Sequence, residues 1–161
     1  MGIDHIKMGL KSNGSLVEVV DVSFHWLCLK KEDFQTVLGY ISIMEAQFSK
    51  AEQLIVMDLT AEATSQYYDF DDVKWTLYKD LAFLGLVTDT QWIDTTALKE
   101  KLEYPDHFEQ LDYLTLCKLM AISTGGTSFS DGYFERKIKN KTILKLLKAI
   151  SKAIDIRDGI K

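Results

Sequence analysis

The residues of this chain whose types suit proton transfer, nucleophilic attack or metal binding are three histidines, two cysteines and one cluster of aspartates. Histidine is the usual general base near neutral pH, but His5, His25 and His107 stand in different segments. None lies beside a Ser or Cys in a recognised nucleophile signature. Cys28 and Cys117 are far apart in apolar segments, which predicts two buried free thiols in a reducing, cytoplasmic setting rather than a disulfide. Metal sites need clustered ligands at regular spacing, such as paired cysteines or HExxH, and the chain shows neither. Asp69, Asp71 and Asp72 alternate like part of a calcium loop. The glycine and closing glutamate of such a loop are missing, so a helix cap and a solvated turn account for them. The expectation is no catalytic residue, no metal and no cofactor, in a protein that leans away from enzymatic chemistry.

Anion binding is the remaining chemistry. Residues 124–132 read TGGTSFSDG, and backbone N–H groups where such a loop enters a helix can hold phosphate. Gly125, Gly126, Ser128, Ser130 and Asp131 would line the loop. Arg136 and Lys137 would add charge from a helix that starts at Ser130 or Asp131 and runs to about Lys139. Neither the P-loop pattern nor GxGxxG is present, and a tight connection between helices explains the glycines without a ligand.

Past a left-handed stop predicted at Asn140, Ile143, Leu146, Leu147, Ile150 and Ile154 form one helical stripe. Lys141, Lys145, Lys148 and Lys152 lie on the opposite face. Residues 133–161 hold 9 Lys and Arg against 3 Asp and Glu, a net +6, and residues 1–132 hold 10 against 21, a net −11. The basic tail either packs on its own acidic body or meets an anionic partner. Nucleic acid is the weaker candidate, because the whole chain carries −5 and few aromatics interleave with the lysines. Phosphate contacts alone would give weak, salt-sensitive binding.

The run LCKLMAISTGGTSFSDGYFERKIKNKTILKLLKAI resembles the C-terminal signature of the domain of unknown function 6508 family of bacterial and phage proteins. Phe129, Asp131, Gly132, Ile143 and Leu147 match that pattern, and the likeness covers the closing third of the chain. Members tend to carry arginines just before the phenylalanine, where this chain has Gly125 and Ser128. The resemblance implies a fold with a leucine-rich helix, a loop and two closing helices. It implies no activity.

These candidates need elements to hold them. Ahead of the loop, Asn13-Gly14 is a type I′ hairpin signal. After it Val20, Val22, Phe24, Trp26 and Cys28 alternate with Asp21, Ser23, His25 and Leu27, which predicts a strand running to residue 29 with His25 on its solvent side. Its free edge would pair with another chain, including a second copy through residues 16–29. Phe34, Val37, Leu38, Ile41, Met44 and Phe48 predict a helix over 32–48. Ser49-Lys50-Ala51-Glu52 has capping-box form and would start another, with LIVMDL read either as its continuation or as a buried strand. Asp71 or Asp72 would cap a helix carrying Val73, Leu77, Leu81 and Leu84, ended by Gly85 at the C′ position with Leu86 folding back. A short helix follows Asp94, Pro105 marks a break, and a leucine-rich helix spans Leu114–Ile122.

The chain has 161 residues, 47% apolar and 27% charged, the composition of an ordinary single globular domain. No apolar run approaches the ~20 residues that cross a bilayer, so no membrane partner is expected. The predicted fold class is α+β, a predominantly helical single domain over 1–161 with an N-terminal β-hairpin at 5–29 and a helical body at 32–154. The predicted function is a non-enzymatic binding or regulatory protein acting through protein–protein contacts. Its surfaces would be the acidic, aromatic Tyr67, Tyr68, Asp69 and Asp71 and the lysine stripe. The alternative is a phosphate, nucleotide or nucleic-acid ligand at 124–139 and the basic helices.

Overall fold

The computed structural model describes residues 5–10, 16–58, 71–87, 95–124 and 133–159. From residue 23 onward, every element among the described residues is helical. Packing layers define fold class, and the buried core is built from helices, so the chain is all-α and the α+β expectation is overturned. The backbones of His5–Leu10 (β1) and Leu16–Asp21 (β2) pair antiparallel, with His5 opposite Asp21 and Leu10 opposite Leu16. Among the described residues the two strands pair only with each other, and a lone two-stranded ribbon does not make a packing layer. The Asn13-Gly14 turn lies outside the described residues.

The predicted strand also ends early. Ser23–Cys28 is a helix, α1. Of its alternating apolar residues, Trp26 is buried while Phe24 and Cys28 are exposed. Tertiary bonds decide the local conformation here, as they commonly do for short apolar runs. Trp26 Nε1 donates to the carbonyl of Gly85 at 2.9 Å, and the carbonyl of Trp26 accepts the Tyr113 hydroxyl at 2.6 Å. With residues 23–28 helical, the overhanging strand edge that motivated pairing through 16–29 extends no further than Asp21.

A 3₁₀ helix at Lys31–Phe34 leads into α2, Gln35–Asp58. Asp33 accepts the backbone N–H of Lys30 at 2.7 Å and so caps this start. Phe34, Val37, Met44 and Phe48 are buried as their spacing requires, with Leu38 and Ile41 packed beside them. The capping-box sequence at Ser49 does not restart the helix. Ala51 continues the buried stripe, so packing keeps the hydrogen-bond ladder unbroken, and residues 54–58 are helical rather than strand.

Next comes α3, Asp71–Phe83. It ends as the sequence predicts. Gly85 has φ +79°, its N–H reaches the Ala82 carbonyl, and the Leu86 N–H reaches the Leu81 carbonyl at 2.9 Å. That is the Schellman pattern, with Leu86 buried as its apolar partner.

The rest of the body is α4 (Thr95–Lys101), a second 3₁₀ helix (Pro105–Gln110) opened by the proline, α5 (Tyr113–Ser123), α6 (Tyr133–Lys139) and α7 (Thr142–Arg157). The left-handed residue before α7 is Lys141, φ 69°, one later than the predicted Asn140. Asn140 instead turns its side-chain carbonyl onto the Thr142 N–H at 3.0 Å, and the backbone absorbs the reversal at the next position. α7 lies at the centre, packed against α2, α5, α6 and the second 3₁₀ helix. Its Ile143, Leu146, Leu147, Ile150 and Ile154 have no exposure.

Two glycines test the helix geometry. A Cβ at Gly39, inside α2, meets nothing within 4 Å, whereas at Gly85 it comes within 2.9 Å of the His25 ring. Gly39→Ala is expected to raise stability by ~0.5–1 kcal/mol, and Gly85→Ala to lower it by ~1–2 kcal/mol through the left-handed backbone alone. Urea midpoints that move in the same direction for both variants would contradict this placement.

Candidate functional site

The lysine stripe lies along the two margins of the buried face of α7 rather than opposite it, and it faces carboxylates. Lys141 reaches Glu52 at 2.9 Å and Lys148 reaches Glu45 at 2.7 Å, so the pairs run antiparallel along α7 and α2. On the other flank Lys145 meets Asp106 at 3.0 Å and Lys152 meets Glu109 at 3.2 Å, both on the second 3₁₀ helix. Lys31 completes the ring by holding Asp155 of α7 at 2.7 Å. The acidic body and basic tail therefore neutralise each other where they touch. Each pair is partly solvated and is worth no more than ~1 kcal/mol.

The other candidates are not gathered into a site. Arg136 is exposed on α6, and Lys137 sits over the Tyr133 ring at 5.4 Å. Gly125, Gly126, Ser128, Ser130 and Asp131 lie outside the described residues, as do Tyr67, Tyr68 and Asp69. Asp71 opens α3. Ser123 Oγ, at the end of α5, is buried with no hydrogen-bond partner among the described residues.

A groove of about 830 Å³ lies elsewhere, between the α1 region and the paired helices α2 and α3. His25 and Cys28 of α1 and Leu29 form one wall, and Glu32 and Asp33 of the first 3₁₀ helix lie at one end. Thr36 and Val37 of α2 face Asp80, Phe83 and Leu84 from the close of α3. Polar bonds fix that first wall to the body. Besides the Trp26 bonds to Gly85 and Tyr113, Arg157 Nη2 donates to the Leu29 carbonyl at 2.9 Å, and its guanidinium stacks 4.7 Å from the Tyr113 ring centroid. Burial, with Cys117 beside it, holds the Tyr113 phenol well above its usual range, so the hydroxyl stays protonated and donates. Across the groove, the Tyr40 hydroxyl donates to Asp80 at 2.7 Å, its own ionisation held back chiefly by burial.

Among the described residues, no group of three or more His, Cys, Asp and Glu is close enough to hold a metal. Sequence reasoning singled out none of Glu32, Asp33, Asp80 or Phe83. One signal was readable: Phe83 falls off the Val73, Leu77, Leu81, Leu84 stripe, so it had to point away from the core, and it is 90% exposed. The other residues come from segments about fifty positions apart, a juxtaposition no local pattern contains.

The two thiols differ in a way the sequence misjudged. Cys28 is exposed in the groove wall and Cys117 is buried in α5, because α1 turns only Trp26 inward. Burial pushes the Cys117 thiol up to about 12, which leaves almost no reactive thiolate at neutral pH. A thiol reagent such as Ellman's is expected to titrate one cysteine in the native protein, Cys28, and the second only after unfolding. Prompt native reaction of both would contradict the packing of α5.

One protein family matches the chain: the family of unknown function DUF6508, over residues 29–156. The likeness first visible in the closing third thus extends across α2 to α7 and takes in the groove from Leu29 to Leu84. No curated protein and no solved structure matches.

Proposed function

Because the chain belongs to the family of unknown function DUF6508, which brings no assigned chemistry with it, we propose a function from the groove itself: a non-enzymatic binding protein that acts through protein–protein contacts there. The observation that carries this reading is Phe83, an aromatic ring 90% exposed on the edge of a concave surface. Leu27, 50% exposed, and Phe24, 40% exposed, lie on α1, the helix that supplies the facing wall. Aromatic side chains beside a groove are favoured anchors at interfaces. The lysine stripe supports a nucleic-acid reading less well, since the carboxylates of α2 and the second 3₁₀ helix already meet its charge.

The test compares affinity capture by wild-type protein, by Phe83→Asp and by Ile43→Asp, which alters an exposed apolar residue on α2. Both sites are exposed enough that folding should shift by no more than ~0.5 kcal/mol. A partner recovered with wild type and Ile43→Asp should fall by roughly thirtyfold in affinity with Phe83→Asp, the size of a hot-spot loss. Prior alkylation of Cys28 by a bulky maleimide should have the same effect. A partner held equally by all forms, or catalytic turnover that survives Phe83→Asp, would overturn the proposal.

A further inference from the structure

The groove also carries a sign of charge, and this inference rests on the binding role proposed for it. Its described lining includes the carboxylates Glu32, Asp33 and Asp80 and no lysine or arginine. Their bonds are to neutral groups or absent. Asp33 accepts a backbone N–H, Asp80 accepts a phenol hydroxyl, and the Glu32 side chain has no hydrogen bond or ion pair among the described residues. Two other hollows differ. Between α2 and α7, Glu45 and Glu52 face lysines that pair with them. Beside Tyr104 and His107, Glu100 lies with Lys101. Between α2 and α7 carboxylate is matched with ammonium, and among the described residues lining the groove beside Phe83 that match is missing.

Uncompensated like charges in a concave, low-dielectric surface focus the potential and select an oppositely charged partner. The apolar part of the lining, Leu29, Val37, Phe83 and Leu84, requires apolar side chains from the same partner. We infer that the groove's occupant is a cationic segment of another protein, with lysine or arginine flanking an apolar anchor that packs on Phe83. The cations meet Glu32 and Asp80, and the anchor fills the space between α1 and the end of α3.

The experiment uses the full chain and three labelled probes: a short amphipathic Lys/Leu peptide and its Gln/Leu and Glu/Leu counterparts. Anisotropy measures affinity, and amide chemical shifts of Leu29, Thr36, Val37 and Leu84 report occupancy of the groove. The Lys/Leu peptide should bind tightest, shift those amides and weaken with added salt. Glu32→Lys should weaken it by about fivefold to tenfold, the effect expected for reversing one partly solvated charge, while Glu100→Lys, in the hollow beside Tyr104, should leave it unchanged. Equal groove binding by the Gln/Leu or Glu/Leu peptide, still lost in Phe83→Asp, would overturn the cationic partner and leave the groove as a binding site. Shifts confined to other surfaces, indifference to Glu32→Lys and Phe83→Asp together, or no binding by any peptide would overturn both.

Discussion

The burial of one face of α7 is the constraint on which the rest of the body depends. Ile143, Leu146, Leu147, Ile150 and Ile154 are fully enclosed, and each such side chain contributes roughly 1.5–3 kcal/mol by leaving water. α2, α5, α6 and the second 3₁₀ helix all pack on that helix. α5, α6 and the second 3₁₀ helix are too short to stand alone in water. The all-α class follows, because the buried face of α7 is covered by other helices.

The lysines of α7 do a different job. They sit at the margin of the buried face and reach outward to carboxylates on two flanks, Glu45 and Glu52 on one, Asp106 and Glu109 on the other. Partly solvated pairs of this kind add little stability. Their matched spacing favours one register of α7 against α2, and they cancel most of the tail's positive charge where it meets the body. The same helix also sets the groove at a distance. Its last turn supplies Arg157 to the Leu29 carbonyl and Asp155 to Lys31, so the wall that carries His25 and Cys28 is tied to the central helix as well as to Gly85 and Tyr113.

What the sequence revealed was local. The face of α2, the close of α3 at Gly85 and Leu86, and the apolar stripe of α7 were all legible, because a helical period and a glycine cap are written within a few residues. α1 was not legible. It is less than two turns long, and its conformation is fixed by bonds from Trp26 to Gly85 and Tyr113, far along the chain. The same non-local control makes Cys28 exposed and carries α2 through a capping-box sequence without a break. The groove was invisible for a related reason. It forms where the start of α2 meets the end of α3, and only Phe83, standing off its helix's stripe, hinted at it. The glycine loop that drew the strongest anion-binding expectation lies at 124–132, outside the described residues from Gly125 on.

The basic closing helix is the core of the body and no free arm. Native-state hydrogen exchange at the backbone amides of Leu146, Leu147 and Ile150 reads this out. If α7 is the element on which the others pack, these amides exchange only through global unfolding, with the same free energy as the slowest amides of α5. Exchange well ahead of global unfolding, with α5 still protected, would show α7 to be a peripheral arm.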